Sequence, residues 1–468
     1  MKRPLVNLLS VFSGDLGSRV IGFFVTVYLA RVLEPAGFGL ISLGLAVLGY
    51  VQLASSPGIQ ILETRNAAAF AHVDRERVGA VLSLRLVLAA VLWVLVAGFT
   101  FLFVTDSTTR DIIILFVLSV FPLAVMLDWL FQGKEAFSTV AISRLLQYAV
   151  YGIVVLLAVQ DATAVRQAGI AFGLGVLAAA TMLWSVYRRR WGRISLDWSP
   201  AKWKEILVNG LPVGAAMFLA QGVTNLPPLV IGYVTSTADV GLFSSAMKIV
   251  FLLLIVDRLF NAMFLPVVTR YFSSQPPGEV ANLVETTLKV VSALVVPLAV
   301  VAVILGQETI GVAFGRSYAG ATPLLTVLIG YFVLTVLNSV FVCMLIGSGH
   351  EKEYTKMVTL GSFILTVGVV AGTFLFGTYG AAYGVVCGEL ATVILMKREA
   401  MKIIRIPLRR ILVRPLIAGL SMAACAMLLK ESNAYVIAVV SLIVFIGMEI
   451  LLRGITPKEI QFLREKFV

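Results

Sequence analysis

The run VGAVLSLRLVLAAVLWVLVAGFTFLF, residues 78–103, carries one charged residue, Arg85, and shows no alternation of polar and apolar positions. About 20 apolar residues in a helix cover the hydrocarbon of a bilayer, and a backbone placed there must satisfy its own hydrogen bonds. A closed barrel would need a polar residue at every second position, which this run lacks. It reads as a membrane-spanning helix, and the same test can be applied along the whole chain.

The 468 residues are 59% hydrophobic and 13% charged, with a mean hydropathy of +0.98. Fourteen runs meet the length requirement, at about 8–33, 36–58, 78–103, 111–132, 139–160, 165–187, 206–233, 240–272, 284–305, 321–348, 355–377, 379–397, 413–429 and 434–452. The expected fold is an all-α polytopic membrane protein. The basic start MKRPLVNLLS leads into the first run without a small-residue cleavage pattern, so that span is read as retained rather than removed as a signal peptide.

With both termini placed in the cytoplasm, 26 of the 37 Lys and Arg residues fall in cytoplasmic segments and five (Arg31, Arg110, Arg166, Arg316 and Lys430) fall outside. Such a bias sets orientation, and a missed or invented span would scramble it. It also accounts for the net charge of +12 without nucleic acid as a partner. The most basic segments, RRRWGRISLDWSPAKWK (188–204) and KREAMKIIRIPLRRILVR (397–414), divide the chain. The organisation read from them is a six-helix lobe (1–187), a basic linker (188–205), a second six-helix lobe (206–397), another basic linker (398–412), a helix pair (413–452) and a cytoplasmic tail (453–468).

Weak internal matches follow the same division. EPAGFGLIS (34–42) aligns with STADVGLFS (236–244), pairing Gly39 with Gly241. FQGKEAF (131–137) parallels GSGHEKEY (347–354), and QAGIAFG (167–173) parallels YGAAYG (379–384). Matches in one order, about 202–216 residues apart, indicate duplicated bundles.

The runs ARVLEPAGFGLISLGLAVLGYVQLASSPGIQILETRNAA (30–68) and DWLFQGKEAFSTVAISRLLQYAV (128–150) resemble the Wzx-type polysaccharide flippases of the multidrug/oligosaccharidyl-lipid/polysaccharide exporter (MOP) superfamily. The resemblance implies two six-helix lobes around a central cavity with alternating access. It also implies an undecaprenyl-pyrophosphate-linked oligosaccharide as cargo and a place in the bacterial inner membrane, among membrane lipids and polysaccharide assembly proteins. Fourteen spans resemble the lipid II flippase branch, whose cavity arginines lie on the first, second and eighth spans. Here Arg19 and Lys248 resemble the first and eighth, while the second offers Gln52.

An ionisable group at membrane depth is costly and faces a cavity or a partner. Arg19, Lys248 and Glu389 lie near mid-membrane by residue count, Arg19 with Asp15 one turn before it as a local ion-pair partner. Arg19 and Lys248 are the candidate pyrophosphate ligands, and Glu389 the candidate coupling group for a proton or sodium gradient. Arg85, Asp128, Arg144, Asp257 and Arg258 lie nearer the cytoplasmic end, where Arg144 and Arg258 either snorkel to headgroups or form a basic vestibule. Asn209, Gln221, Asn225 and Asn338 either bind glycan hydroxyls or hydrogen-bond between helices, and Gln52 is a further substrate-binding candidate.

Cys343, Cys387 and Cys425 sit in apolar runs, and His72 and His350 lack ligand spacing, so neither a cofactor nor a metal is expected. No nucleophile and base constellation appears, which disfavours a membrane glycosyltransferase or polymerase. A cation-coupled multidrug antiporter of the same superfamily is the alternative function, one that would use an acidic cavity.

Overall fold

A computed structural model describes the backbone of residues 2–70, 72–429, 431–452, 454 and 459, and the side chains of the same set except 2–16, 19, 216, 219 and 220. Grouped by contact, the chain forms two units, residues 1–241 and 242–468.

The first unit holds α1 (Lys2–Ser55), α2 (Ile59–Ala69), α3 (Arg75–Phe103), α4 (Ser107–Leu118), α5 (Val120–Ala124), α6 (Asp128–Gly133), α7 (Phe137–Ala158), α8 (Val165–Trp191), α9 (Pro200–Ala220) and α10 (Gly222–Val234). α11 (Thr237–Leu253) begins in it and continues into the second. There follow α12 (Ile255–Ser274), α13 (Pro277–Ile304), α14 (Gly306–Phe314), α15 (Ala321–Gly347), α16 (Glu351–Ile403), α17 (Leu408–Leu428) and α18 (Ala434–Leu451).

Among the described residues, eleven segments are long and apolar enough to cross a membrane. Two of them each contain two of the runs read from the sequence. α1 turns at Glu34 (φ 58°, ψ 177°), just before Pro35, and α16 turns at Phe376 and Gly377 (φ 59°). The two halves of α16 then pack on each other through glycines. A Cβ on Gly380 would lie 1.8 Å from the Gly372 carbonyl oxygen, and one on Gly384 2.5 Å from that of Gly368. Small residues let backbones approach where lipid supplies no hydrophobic drive between helices.

Other spans are broken. The run 111–132 becomes α4, α5 and α6, with Pro122 in α5, and the run 206–233 breaks at Gln221 between α9 and α10. α9 packs on α1, α2 and α3, and α10 on α1, so both count with the first unit although they follow the basic segment 188–205. That segment is itself anchored. Ser83 Oγ donates to the Asp197 carbonyl oxygen, Trp203 Nε1 donates to Ser83 Oγ at 3.1 Å, and Lys202 pairs with Asp197 at 2.7 Å and Glu76 at 2.8 Å. The hydrogen bond from Lys202 holds the Asp197 carboxyl below its usual pKa.

The internal matches have structural counterparts. After α6, Ala136 N–H donates to the Phe131 carbonyl (2.8 Å) with Glu135 at φ 54°. After α15, His350 N–H donates to the Leu345 carbonyl (2.8 Å) with Gly349 at φ 80°. Both are Schellman caps, which satisfy the last carbonyls of a helix through one left-handed residue. The other matched pair meets itself. A Cβ on Gly39 would lie 1.7 Å from the Thr237 carbonyl oxygen and one on Gly241 2.0 Å from that of Pro35, so corresponding positions of the two motifs touch reciprocally.

Candidate functional site: buried charges in each unit

In the second unit, α15 presents Tyr331, Asn338 and Ser339 at helical spacing between carboxylates from two other helices. Asp257 of α12 accepts a hydrogen bond from Ser339 Oγ at 2.5 Å. Asn261, one turn on, donates to Ser339 Oγ at 3.1 Å, and Cys343 Sγ donates to Asn261 Oδ1 at 3.2 Å. Glu389 of α16 is 8% exposed and accepts from Asn338 Nδ2 at 3.3 Å. The other amide atom, Asn338 Oδ1, is buried without a partner among the described residues. Tyr331 lies within electrostatic range of both carboxylates.

Lys248, half-buried on α11, forms no ion pair among the described residues, so it does not neutralise Glu389. Two carboxylates, a hydroxyl and an orphan amide oxygen make a set of hard oxygen donors, the chemistry that takes a proton or a small cation. Arg258, next to Asp257, is exposed.

In the first unit the buried cation is Arg85 on α3, 5% exposed. Its Nη1 donates to the Met126 carbonyl at 3.2 Å and its Nη2 to the Leu123 carbonyl at 2.8 Å. These carbonyls lie at the break between α5 and α6, where the N–H donors of a continuing helix are lost, so the Arg85 guanidinium donates the hydrogen bonds that the interruption removes. Asp128, at the start of α6, lies in the field of Arg144 of α7 and of Arg85. Arg144 thus belongs to one electrostatic group with Asp128 and the buried Arg85.

Asn225 on α10 is 8% exposed and packs on α1, its Nδ2 2.4 Å from where a Cβ of Gly49 would stand. Gln52 follows Gly49 by three residues on the same helix and is exposed. The side chains of Arg19 and its neighbour Asp15 lie outside the described residues.

The sequence marked Glu389, Asn338 and Asp257 as polar groups inside apolar runs. It did not join them, since the Asp257–Ser339 bond spans 82 positions. The residues it missed are Ser339 and Tyr331, whose one signal is their shared face with Asn338.

The fold is shared with known structures. The chain is similar to the lipid II flippase MurJ in an inward closed conformation, with TM-score 0.76, 12% identity, and 95% of this chain and 98% of that one covered. It is also similar to an inward-facing multidrug resistance MATE family transporter of the MOP superfamily, with TM-score 0.65, 15% identity, and 82% and 94% covered. For a MOP superfamily transporter from Pyrococcus furiosus the values are 0.52, 17%, 85% and 95%. No curated protein matches the chain. The protein is therefore a multi-pass membrane protein with the MOP transporter fold.

Within that class the sequence fixes the family. The profile of the family described as "Polysaccharide biosynthesis protein" matches residues 5–272, more than half of the chain, and the chain belongs to that family.

Proposed function

We propose that the chain is a Wzx-type flippase. It moves an undecaprenyl-pyrophosphate-linked oligosaccharide from the cytoplasmic to the outer leaflet of a bacterial cytoplasmic membrane by alternating access, for surface-polysaccharide synthesis. The observation that carries this reading is a likeness to a lipid II flippase over 95% of the chain, in a family named for polysaccharide biosynthesis.

In this reading Arg19 and Lys248 bind the pyrophosphate, since charge-assisted hydrogen bonds to a dianion are the strong ones. Arg144 and Arg258 form a basic vestibule on the cytoplasmic side, and Gln52 and Asn225 meet glycan hydroxyls. Glu389, with Asp257 and the amide and hydroxyl groups of α15, takes the coupling cation.

The test is deletion followed by complementation. Cells lacking the chain should accumulate lipid-linked oligosaccharide on the cytoplasmic leaflet. Wild type should relieve this, and Arg19→Ala and Lys248→Ala should fail to do so at normal protein level. Arg19→Lys should retain part of the activity. If Asp15→Asn with Arg19→Gln exports at the wild-type rate, the pair is structural and the pyrophosphate role of Arg19 is lost.

The carboxylate pair Asp257 and Glu389 also suits a cation-coupled multidrug antiporter. That reading predicts sensitivity to cationic drugs on deletion, with no build-up of lipid-linked glycan.

A further inference from the structure

A cavity of about 730 Å³ opens within the first unit where α8 runs into the basic segment. Leu177, Ala180 and Thr181 line one end, and Tyr187, Arg188 and Arg193 line the other. Its apolar end continues the stripe Ile170, Leu174 and Leu177, which is 42–49% exposed and so faces acyl chains in a membrane-embedded helix. One wall is fixed by Trp184, whose Nε1 donates to the Val125 carbonyl at 2.8 Å.

The polar end gathers uncompensated charge. Gly192 turns the chain at φ 91°, and the Arg75 guanidinium lies 3.3 Å from where its Cβ would stand. Arg188 and Arg193 form no ion pair among the described residues, and the nearby Asp197 and Glu76 are engaged by Lys202. Tyr187 is fully buried, yet its hydroxyl has no hydrogen-bond partner among the described residues. A buried hydroxyl left unpaired is costly and calls for an explanation.

The second unit repeats the arrangement at the corresponding point of the sequence. After α16, a cavity of about 800 Å³ is lined by Lys397, Arg409, Arg410 and Arg414 together with Met401 and Val413.

We propose that the cavity beside α8 holds one anionic phospholipid of the surrounding bilayer. Its phosphate sits among Arg75, Arg188 and Arg193, the Tyr187 hydroxyl donates to it, and an acyl chain lies along Leu177 and Leu174. The site is separate from any path for the transported lipid, because it lies on the lipid-facing stripe of α8. It needs only that the chain be membrane-embedded, so it stands or falls independently of the flippase reading.

The experiment titrates the purified full-length chain with short-chain phosphatidylglycerol and counts bound lipids by native mass spectrometry. The matching phosphatidylcholine and inorganic phosphate serve as comparison ligands. Arg188→Gln with Arg193→Gln should carry one phosphatidylglycerol fewer, a loss of at least about tenfold in affinity at that site, given roughly tenfold or less per basic residue near an anionic surface. Arg189→Gln with Arg190→Gln removes two exposed arginines that do not line the cavity, and should bind as wild type. Tyr187→Phe should weaken the site by about threefold to tenfold through one hydrogen bond. Arg188→Lys with Arg193→Lys should keep the lipid, which preserves the test if the glutamine variant folds poorly.

Three results would overturn the proposal. Equal loss in the two glutamine doubles would mean a diffuse basic surface. Equal retention of phosphatidylcholine would mean an apolar trough alone. Displacement of the lipid by equimolar inorganic phosphate would mean a phosphate site.

Discussion

Glu389 sits in an apolar helix against the Asn338 amide and the Thr335 hydroxyl, and shares its surroundings with a second carboxylate, Asp257. An acid so placed changes charge only at large cost unless a cation or proton accompanies the change. Glu389→Gln keeps the shape and can still accept from Asn338, so thermal stability should stay within about 1 kcal/mol of wild type. Transport should lose its dependence on the proton or sodium gradient, and Asp257→Asn should lower the same dependence. Glycan export by vesicles with and without an imposed gradient measures this; a fully gradient-dependent Glu389→Gln variant removes the coupling role. Arg85 teaches the opposite lesson. As a charge in a span it looks like a site residue, yet its guanidinium caps carbonyls at a helix break, whose mark in the sequence is Pro122.

At the scale of elements, the two Schellman caps permit a direct comparison. The same turn uses Gly349 after α15 and Glu135 after α6, both at positive φ. A non-glycine residue there costs about 1–2 kcal/mol through the contact of its Cβ with the following carbonyl. Glu135→Gly should therefore raise the melting temperature of the detergent-solubilised chain, and Gly349→Ala should lower it by a comparable amount. Equal stability of all three proteins would show that neither cap limits unfolding. The motif match FQGKEAF against GSGHEKEY pointed to the two turns, while the caps pair Glu135 with Gly349, two residues out of the register of that match. The pairing of Gly169 and Gly173 with Gly380 and Gly384 is only half reproduced by contact. The first two face Leu115 and Ser119 of the α4 region, whereas the second two pack on the other half of their own helix.

The whole chain is ordered by its charge distribution, and the orientation can be tested without assuming a function. Basic segments 188–204 and 397–414 should face the cytoplasm, as the positive-inside bias requires. In a background lacking Cys343, Cys387 and Cys425, single cysteines replacing Arg193 or Arg405 should resist an impermeant thiol reagent on intact spheroplasts and react after permeabilisation. Labelling of either in intact spheroplasts contradicts the assigned sidedness.

The sequence by itself determined that this is an all-helical membrane protein, roughly where its apolar runs lie, and which charges they contain. Hydrophobic length and charge bias are local quantities, read within about 20 residues at a time. Tertiary structure decided the rest. It set the turns between the first and second runs at Glu34 and between the eleventh and twelfth at Phe376 and Gly377, and it broke the fourth and seventh. It also turned Arg85 into a cap and brought Asp257, Ser339, Asn338 and Glu389 together. These outcomes depend on which face of one helix meets which face of another, and that phase is set by packing between residues far apart in the chain, where no local pattern reaches.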